Sequence, residues 1–269
     1  MVKSVILARG KGTRMQRREA GVELEPEQAR MADAGLKAMV PFDGRPFLDY
    51  LLSALADAGG REVCLVVAPE HDEIRDHYDR HPTRRVRLSY AVQPEPRGTA
   101  DALLVAAPFC GDEPFLAMNA DNYYPPSVLS QLAHLDGPGL PAFSRRTLLA
   151  DGNISADRVR HYAILRIAAD GTLADIVEKP GDAELSALGD EFFVSMNCWR
   201  LDRTIFEACR RVEASPRGEF ELPNAVRYAI HVLQHRFRTF AVHAAVLDLS
   251  HRSDVAAVAR QLRAIEVQP

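Results

Sequence analysis

Residues 2–15 read VKSVILARGKGTRM, and this stretch decides the fold. The apolar run at residues 2–7 is typical of a buried strand in a parallel sheet. It ends in a loop from Gly10 to Arg14 that carries two glycines and two cations. Glycines leave successive backbone N–H groups open, so these groups can converge on an anion while the cations add charge. We therefore expect the phosphates of a nucleotide to lie against this loop.

The glycine spacing alone does not identify a known nucleotide-binding motif. Gly10-x-Gly12 lacks the third glycine of the dinucleotide fingerprint, and the loop has no Gly-Lys-Ser/Thr of a P-loop. A tight turn after a first strand remains the alternative interpretation, so the rest of the chain has to decide.

The composition is that of an ordinary globular protein, with no footprint of a nucleic-acid or membrane partner. The 269 residues include 33 Lys and Arg against 37 Asp and Glu, a formal net charge of −4. An anionic substrate would therefore need a local basic pocket rather than a basic surface. Apolar runs are too short for a signal peptide or a membrane span, and the four cysteines lie far apart. We expect a cytoplasmic protein with reduced thiols.

Strands and helices alternate in the first half of the chain. Apolar runs at residues 63–67, 86–90 and 115–118 are typical of strands, with helices between them. The predicted fold class is α/β: one domain over residues 1–269, with a mostly parallel mixed sheet flanked by helices. Residues 16–35 interrupt the pattern, either as a mobile solvated insertion or as a lid over bound phosphates.

The second half is less regular. A hairpin is predicted from residues 162–167 and 173–177, one strand from 192–199 and a last strand from 242–247. In the first half, Thr99 is expected to be the N-cap of a helix over residues 100–107.

Ligands of open α/β sheets bind beyond the carboxyl ends of the strands. Four polar segments follow predicted strands: the Gly10 to Arg14 loop, residues 93–99, the Asp121-Asn122 pair and Asp248. Two carboxylates that converge beside a phosphate loop make a hard-oxygen site for Mg²⁺. For Asp121 alone, capping of the turn that follows it is an equally good interpretation.

A series of short segments runs in order through nearly the whole chain. The segments are Ile6-Leu7-Ala8-Arg9-Gly10-Lys11-Gly12-Thr13-Arg14-Met15, Leu36-Lys37-Ala38-Met39-Val40-Pro41, Gln93-Pro94-Glu95-Pro96-Arg97-Gly98-Thr99-Ala100, Ala120-Asp121-Asn122, Glu178-Lys179-Pro180, Val194-Ser195-Met196-Asn197, Gly218-Glu219-Phe220-Glu221-Leu222 and Leu247-Asp248-Leu249. The series resembles the sugar-1-phosphate nucleotidyltransferases, which include glucose-1-phosphate thymidylyl- and uridylyltransferases and mannose-1-phosphate guanylyltransferase.

The resemblance implies a Rossmann-like, GT-A-type fold whose residues 1–135 bind the nucleotide and whose residues 136–269 bind the sugar phosphate. It implies a Mg²⁺-dependent condensation of a nucleoside triphosphate with a sugar-1-phosphate, or a related polyol or cyclitol phosphate, with release of pyrophosphate. The implied catalytic residues are Arg14, Lys37 and Asp121. The implied nucleotide-binding residues are Leu7, Ala8, Arg9, Gly10, Gly12, Thr13, Gln93, Gly98, Thr99 and Asp121; the substrate-binding ones are Asn122, Glu178, Lys179 and Asn197, and the metal ligands Asp121 and Asp248.

Departures from the family pattern leave the base and the sugar open. Arg9 stands where the family usually has Gly or Ala, and is expected either among the approaching base and phosphates or outward as a solvated cation. Ala120 replaces a glycine, and Asn224 stands where Asp is common.

Two rival functions remain. A GT-A-type glycosyltransferase usually shows D-x-D, whereas Asn119-Ala120-Asp121 has one carboxylate. A non-catalytic regulatory module on the same fold would be expected to lack Arg14, Lys37 or Asp121. The expected partners are the two small substrates, with no nucleic acid or membrane, and the chain is a possible homo-oligomer.

Overall fold

The computed structural model describes residues 2–178 and 180–269 as an α/β unit. Its helices are α1 Thr13–Gln16, α2 Pro26–Ala34, α3 Phe47–Asp57, α4 Asp72–Arg80, α5 Thr99–Val105, α6 Ala107–Cys110, α7 Pro126–Ala133, α8 Arg145–Asp151, α9 Ala156–Val159, α10 Asp182–Leu188, α11 Thr204–Arg211, α12 Leu222–His231 and α13 Asp254–Leu262, with a 3₁₀ turn at Lys37–Met39. Its strands are β1 Lys3–Leu7, β2 Pro41–Phe42, β3 Arg45–Pro46, β4 Glu62–Val67, β5 Arg87–Val92, β6 Phe115–Asn119, β7 Asn122–Tyr123, β8 Gly139–Ser144, β9 Ile164–Ile167, β10 Leu173–Val177, β11 Phe193–Val194, β12 Cys198–Leu201, β13 Arg238–Val242 and β14 Leu247–Asp248.

Strand β1 lies at the centre of a parallel block in the order β6-β1-β4-β5. Its residue Leu7 is opposite Asn119 of β6 on one side and Val66 of β4 on the other. Because all four strands run the same way, their carboxyl ends meet at one edge of the sheet. That edge receives the loop after β1 and the Asp121 turn after β6.

The rest of the large sheet is mixed. Strand β12 pairs antiparallel with β6, and β8 pairs antiparallel with β11 and β12 but parallel with β13. The predicted fold class is confirmed, as is the hairpin of β9 and β10. All four cysteines are buried and unpaired. Across the described part of the chain, no helix is both long and apolar enough to cross a membrane.

Two of the predicted strands are wrong, because in the structure each predicted run is interrupted by residues that belong to no strand. The run at 192–199 forms β11 and β12, separated where Asn197 adopts φ 52° and its N–H donates to Ser195 Oγ. The left-handed residue turns the chain out of the sheet. The run at 242–247 is likewise no single strand, because β13 ends at Val242 and the separate strand β14 pairs with β7.

The predicted N-cap role of Thr99 is also wrong. Helix α5 is preceded by Gly98 at φ 113°, and Thr99 is already its first helical residue. The Thr99 Oγ1 instead accepts a hydrogen bond of 2.8 Å from the N–H of Leu222, the first residue of α12. Thr99 therefore joins two distant segments rather than capping its own helix.

The insertion at residues 16–35 is packed against the domain. Helix α2 buries Met31 and Ala32 at 3% and 0% exposure. The buried Arg252, just before α13, donates to the carbonyls of Met15 and Gln16 and pairs with Asp33. This argues against a mobile, solvated insertion.

Replacing Arg252 with Ala should lower the free energy of unfolding by about 2 kcal/mol, because buried carbonyls lose their donor. Urea unfolding of the two proteins measures the difference. The matched control is Arg263→Ala, which removes an exposed arginine after α13 and should change stability by less than about 0.5 kcal/mol. Equal stability of Arg252→Ala and the parent chain would show that the insertion is held by other contacts.

Candidate active site

A cavity of about 730 Å³ opens at the carboxyl ends of β1 and β6. All predicted site residues that the structure describes line it: Leu7, Ala8, Arg9, Gly10, Gly12, Thr13, Arg14, Lys37, Gln93, Gly98, Thr99, Asp121, Asn122, Glu178, Asn197 and Asp248. Lys179 lies outside the described residues. The fold thus brings segments that are far apart in sequence to one cavity.

The loop after β1 presents unused backbone donors. Among the described residues, the N–H groups of residues 9–14 have no acceptor within the protein, whereas Ala8 still donates to Val66. Gly12 adopts φ 61°, and a Cβ there would lie 2.1 Å from the Gly35 carbonyl oxygen, so only glycine fits. Such a row of open N–H groups is a ready anion site.

A cation and a carboxylate meet across the floor of the cavity. The Lys37 Nζ lies 2.8 Å from Asp121 Oδ2, with both side chains about three-quarters buried or more. The Asp121 carbonyl accepts from the N–H of Leu249, which ties the turn after β6 to the strand that carries Asp248. The side chain of Asp121 therefore pairs with Lys37, and the turn-capping interpretation receives no support.

The second carboxylate, Asp248, is held from both its backbone and its side chain. Asn153 accepts from the Asp248 N–H at 2.9 Å and donates to its carbonyl at 2.7 Å. Arg158 binds Oδ1 at 2.5 Å, and the Tyr162 hydroxyl donates to Oδ2 at 2.8 Å. Burial, together with the charge of Asp248, raises the pKa of Tyr162, so the phenol stays a proton donor.

Arg158 also neutralises a third carboxylate. Its Nη1 lies 2.5 Å from Oδ1 of Asp254, the first residue of α13, whose Oδ2 accepts from the N–H groups of Ser250 and His251 before the helix. Burial raises the pKa of Asp254, and the Arg158 charge opposes that rise. One guanidinium thus holds two nearly buried carboxylates.

The donor set fits a magnesium ion that is shared with a ligand. Asp248 of β14 is opposite Asn122 of β7, and Asn122 directly follows Asp121. The two predicted metal ligands, Asp121 and Asp248, therefore lie on neighbouring segments. Within residues 2–178 and 180–269 there is no cluster of three or more metal-ligating side chains. Mg²⁺ usually takes one or two carboxylates and fills its octahedron with water and phosphate oxygens, so two carboxylates suffice.

A second wall of the cavity is formed by Arg9 and Gln93. Arg9 is only 8% exposed and donates to the carbonyls of Gln93 and Pro94, at 3.4 and 3.3 Å. The outward, solvated placement of Arg9 is therefore wrong. Arg9 instead lies in the lining of the cavity.

Asn122, which also lines the cavity, carries a buried donor that has no partner among the described residues. Its Nδ2 is sealed from solvent and bonds to no other described residue, and buried amides of this kind usually mark an absent ligand or water. Glu178 and Asn197 line the same cavity.

Sequence reasoning missed five side chains that line the cavity: Arg158, His161, Tyr162, Arg217 and His251. Arg217 pairs with Glu221 and lies 3.8 Å from Glu219. It could have been found, since it directly precedes the quoted Gly218-Glu219 segment. Arg158 and Tyr162 could not, because their partner Asp248 is distant in sequence.

Replacing Arg158 with Gln should destabilise the protein by about 3–5 kcal/mol at neutral pH, since it leaves buried carboxylates unpaired. Without the guanidinium, nothing opposes the effect of burial on Asp254, and its folded-state pKa should rise further above the unfolded value of about 3.9. The folded state then binds protons more tightly, so the loss of stability should shrink as the pH is lowered from about 8 to about 5.

Urea unfolding at the two pH values checks this expectation. The control is Arg160→Gln, because Arg160 is half exposed and its partner Asp182 is on the surface. A loss of stability in Arg158→Gln that is the same at both pH values would contradict the pairing argument.

Solved structures of known proteins have the same fold as this chain. The chain resembles a UDP-glucose pyrophosphorylase solved with UDP-glucose, with a TM-score of 0.75 and 18% identity over 97% of this chain and 98% of the other. It also resembles HddC from Yersinia pseudotuberculosis solved with GMP-PN, with a TM-score of 0.63 and 20% identity over 98% and 100%. At these identities the likeness shows the fold alone.

Relatives in sequence include the UTP–glucose-1-phosphate uridylyltransferase AglF of Haloferax volcanii, 27% identical over 84% of this chain and 82% of that protein. A glucose-1-phosphate thymidylyltransferase of Mycolicibacterium smegmatis is 27% identical over 82% and 68%. The chain matches about half the length, 47%, of the bifunctional protein GlmU of Methanococcus maripaludis, at 24% identity.

The profile of the nucleotidyl transferase family matches residues 29–244, well over half of the chain. The loop at residues 9–14 and Asp248 lie outside the matched range. The matched range nevertheless includes Lys37, Gln93, Asp121 and Asn197. The chain belongs to the nucleotidyl transferase family.

Proposed function

We propose that this protein condenses a nucleoside triphosphate with a sugar-1-phosphate, or a related polyol or cyclitol phosphate, to give the nucleotide-activated product and pyrophosphate. The observation that carries the proposal is the row of unpaired backbone N–H groups at residues 9–14, beside the Lys37–Asp121 pair in one cavity. Open donors of this kind favour an extended anion such as a triphosphate. A glycosyltransferase acting on a nucleotide sugar would have less use for them.

The cavity and the relatives support a two-substrate reaction. Its volume of about 730 Å³ is within the usual range for ligand sites of about 300–1,000 Å³. The named activities of the relatives from Haloferax and Mycolicibacterium both transfer a nucleotide to glucose-1-phosphate. We assign the nucleotide to the half formed by residues 1–135 and the sugar phosphate to residues 136–269.

The reaction needs little proton transfer. A phosphate oxygen of the sugar-1-phosphate is already ionised at neutral pH and attacks the α-phosphorus of the triphosphate. The bond from this phosphorus to the bridging oxygen breaks, and pyrophosphate leaves with the electron pair. Positioning and neutralisation of negative charge then provide most of the catalysis.

Several positive groups of the site would share the neutralisation of the phosphate charge. In the proposal, the N–H groups of the loop and Arg14 bind the β- and γ-phosphates, and Lys37 moves from Asp121 to the α-phosphate. Mg²⁺, when bound, would supply further charge neutralisation between the triphosphate and the carboxylates of Asp121 and Asp248. Arg158 and Tyr162 would keep Asp248 in position.

We assign the binding of the sugar phosphate to Asn122, Glu178 and Asn197 of the cavity lining, and to Lys179 from its place beside Glu178 in the sequence. A carboxylate accepts hydrogen bonds from sugar hydroxyls, and an amide can donate to a hydroxyl or phosphate oxygen. The missed residues His161 and Arg217 add positive or polar groups to the same cavity.

Replacing Arg14 or Asp121 with Ala should lower kcat at least about a hundredfold, because loss of one charge-stabilising contact costs about 2.7–4 kcal/mol of barrier. Pyrophosphate release across a panel of nucleoside triphosphates and sugar-1-phosphates measures the loss. The control is Arg18→Ala, an exposed arginine of the same segment that does not line the cavity. Near-normal pyrophosphate release by either Arg14→Ala or Asp121→Ala would overturn the assigned role.

Chelation should abolish turnover, and Mg²⁺ should restore it. We expect Asp121→Asn to weaken the activation by Mg²⁺ at least about tenfold, because the donor set holds only two carboxylates. Titration of pyrophosphate release with Mg²⁺ at saturating substrates gives the activation constant. Full activity in excess chelator would contradict the metal assignment while leaving the reaction itself standing.

A further inference from the structure

The helix that follows the loop at residues 9–14 is too short to hold its own shape. Helix α1 covers only Thr13–Gln16, and the hydrogen bond that closes its turn runs from the Gln16 N–H to the Gly12 carbonyl at 3.0 Å. A single turn of helix is unstable by itself. The open N–H groups of the loop and the side chain of Arg14 therefore depend on contacts from elsewhere for their positions.

Arg252 binds the end of this helix. Its Nε donates to the Met15 carbonyl at 2.8 Å, and its Nη2 donates to the Gln16 carbonyl at 3.4 Å. These are the last two carbonyls of α1, where no further turn of helix supplies a donor. Arg252 is only 6% exposed, so water cannot easily replace these bonds. The guanidinium thus holds α1 at the end away from the loop.

The same guanidinium binds the insertion. Its Nη2 pairs with Asp33 in the last turn of α2. Helix α2 ends at Gly35, which lies against the loop: a Cβ on Gly35 would be 2.4 Å from the Lys11 carbonyl oxygen, and a Cβ on Gly12 would be 2.1 Å from the Gly35 carbonyl oxygen. The last turn of α2 therefore contacts the loop directly and contacts α1 through Arg252.

Arg252 also belongs to the segment that follows Asp248, the proposed metal ligand. Its own N–H donates to Oε1 of Glu19 in the insertion at 3.1 Å. The Asp254 carboxylate, which shares Arg158 with Asp248, accepts from the two backbone N–H groups that precede Arg252. The insertion is thereby joined to the segment that carries Asp248 as well as to the loop.

We propose that the insertion at residues 16–35 is a brace for the phosphate site, and that Arg252 is the positioning residue that holds it in place. The open N–H groups of the loop, Arg14 and Asp248 are then kept at fixed distances before a ligand binds. Such preorganisation lowers the ordering cost of binding and of reaction. The inference rests on the proposed function in taking the bound anion to be a triphosphate with Mg²⁺. A lid would instead change its position when the ligand binds.

The test is the binding of inorganic tripolyphosphate with Mg²⁺, measured by calorimetry in the parent chain and in Arg252→Met. Methionine keeps the length of the stem but has no donor. The affinity should fall at least about tenfold, because the ligand then has to order the loop. In the pyrophosphate-release assay kcat should fall about 10- to 100-fold. Arg252→Lys keeps a cation beside Asp33 and should restore part of both.

A second variant, Asp33→Asn, separates positioning from charge. It removes a half-exposed carboxylate, which by charge alone should strengthen the binding of an anion. It also weakens the hold of Arg252 on α2. The brace therefore predicts the opposite sign, a tripolyphosphate affinity that is lower by about threefold, the size of one exposed ion pair.

The control for lost stability is Ile205→Ala on α11. Ile205 packs in the core on the other face of the sheet from Met15, far from the insertion. Loss of its buried methyl groups should lower the melting temperature and leave the tripolyphosphate affinity unchanged. Thermal melting shows that each variant is folded at the temperature of the assay.

Three results would overturn the inference. They are an unchanged affinity in folded Arg252→Met, a stronger affinity in Asp33→Asn, and protection of residues 17–34 from hydrogen exchange when tripolyphosphate binds the parent chain, which is the behaviour of a lid.

The two assays separate the brace from the proposed function. Weaker tripolyphosphate binding in Arg252→Met and Asp33→Asn, without pyrophosphate release from any pair of substrates, would support the brace and refute the reaction. Pyrophosphate release by the parent chain with unchanged binding in Arg252→Met would support the reaction and refute the brace.

Discussion

The parallel register of β1 with its two neighbours is the constraint on which the site depends. With Leu7 opposite both Asn119 and Val66, the chain after β1 must emerge beside the turn after β6. The strand register therefore places the loop at residues 9–14 beside Asp121, and no direct contact between the two is needed. A shift of one residue in this register would exchange the two cores against which Val5 and Ile6 pack and separate the two sites.

Charge pairing is the second organising principle of the cavity. Asp121 is balanced by Lys37, and Asp248 by Arg158 with help from Tyr162. Burying an unpaired carboxylate is costly, so these cations allow acidic side chains to remain ionised in a partly buried site. The two cations differ in what they can do next: Lys37 has a flexible stem and one described carboxylate partner, whereas Arg158 bridges two carboxylates and stays in place.

Apolar runs and strand ends are local signals, and from them the sequence predicted the parallel half of the fold and the segments that reach the cavity from the strand ends, whereas Lys37, Glu178 and Asn197 were identified by the family resemblance. Sequence reasoning failed where tertiary contacts override local pattern. The residues at 192–199 look like one strand, but the chain bends at Asn197, and Thr99 serves a helix that begins at Leu222. Arg158 has no local signal, since its partners Asp248 and Asp254 are brought to it only in the folded chain.

The buried Arg252 joins the insertion at residues 16–35 to the segment before α13, at sites separated by most of the chain. The arginine and the insertion depend on each other. Without the insertion Arg252 would be an uncompensated buried cation, and without Arg252 the insertion would lose its anchor. The insertion and the segment before α13 therefore depend on one side chain, and a change in either segment has to be matched by a change in the other.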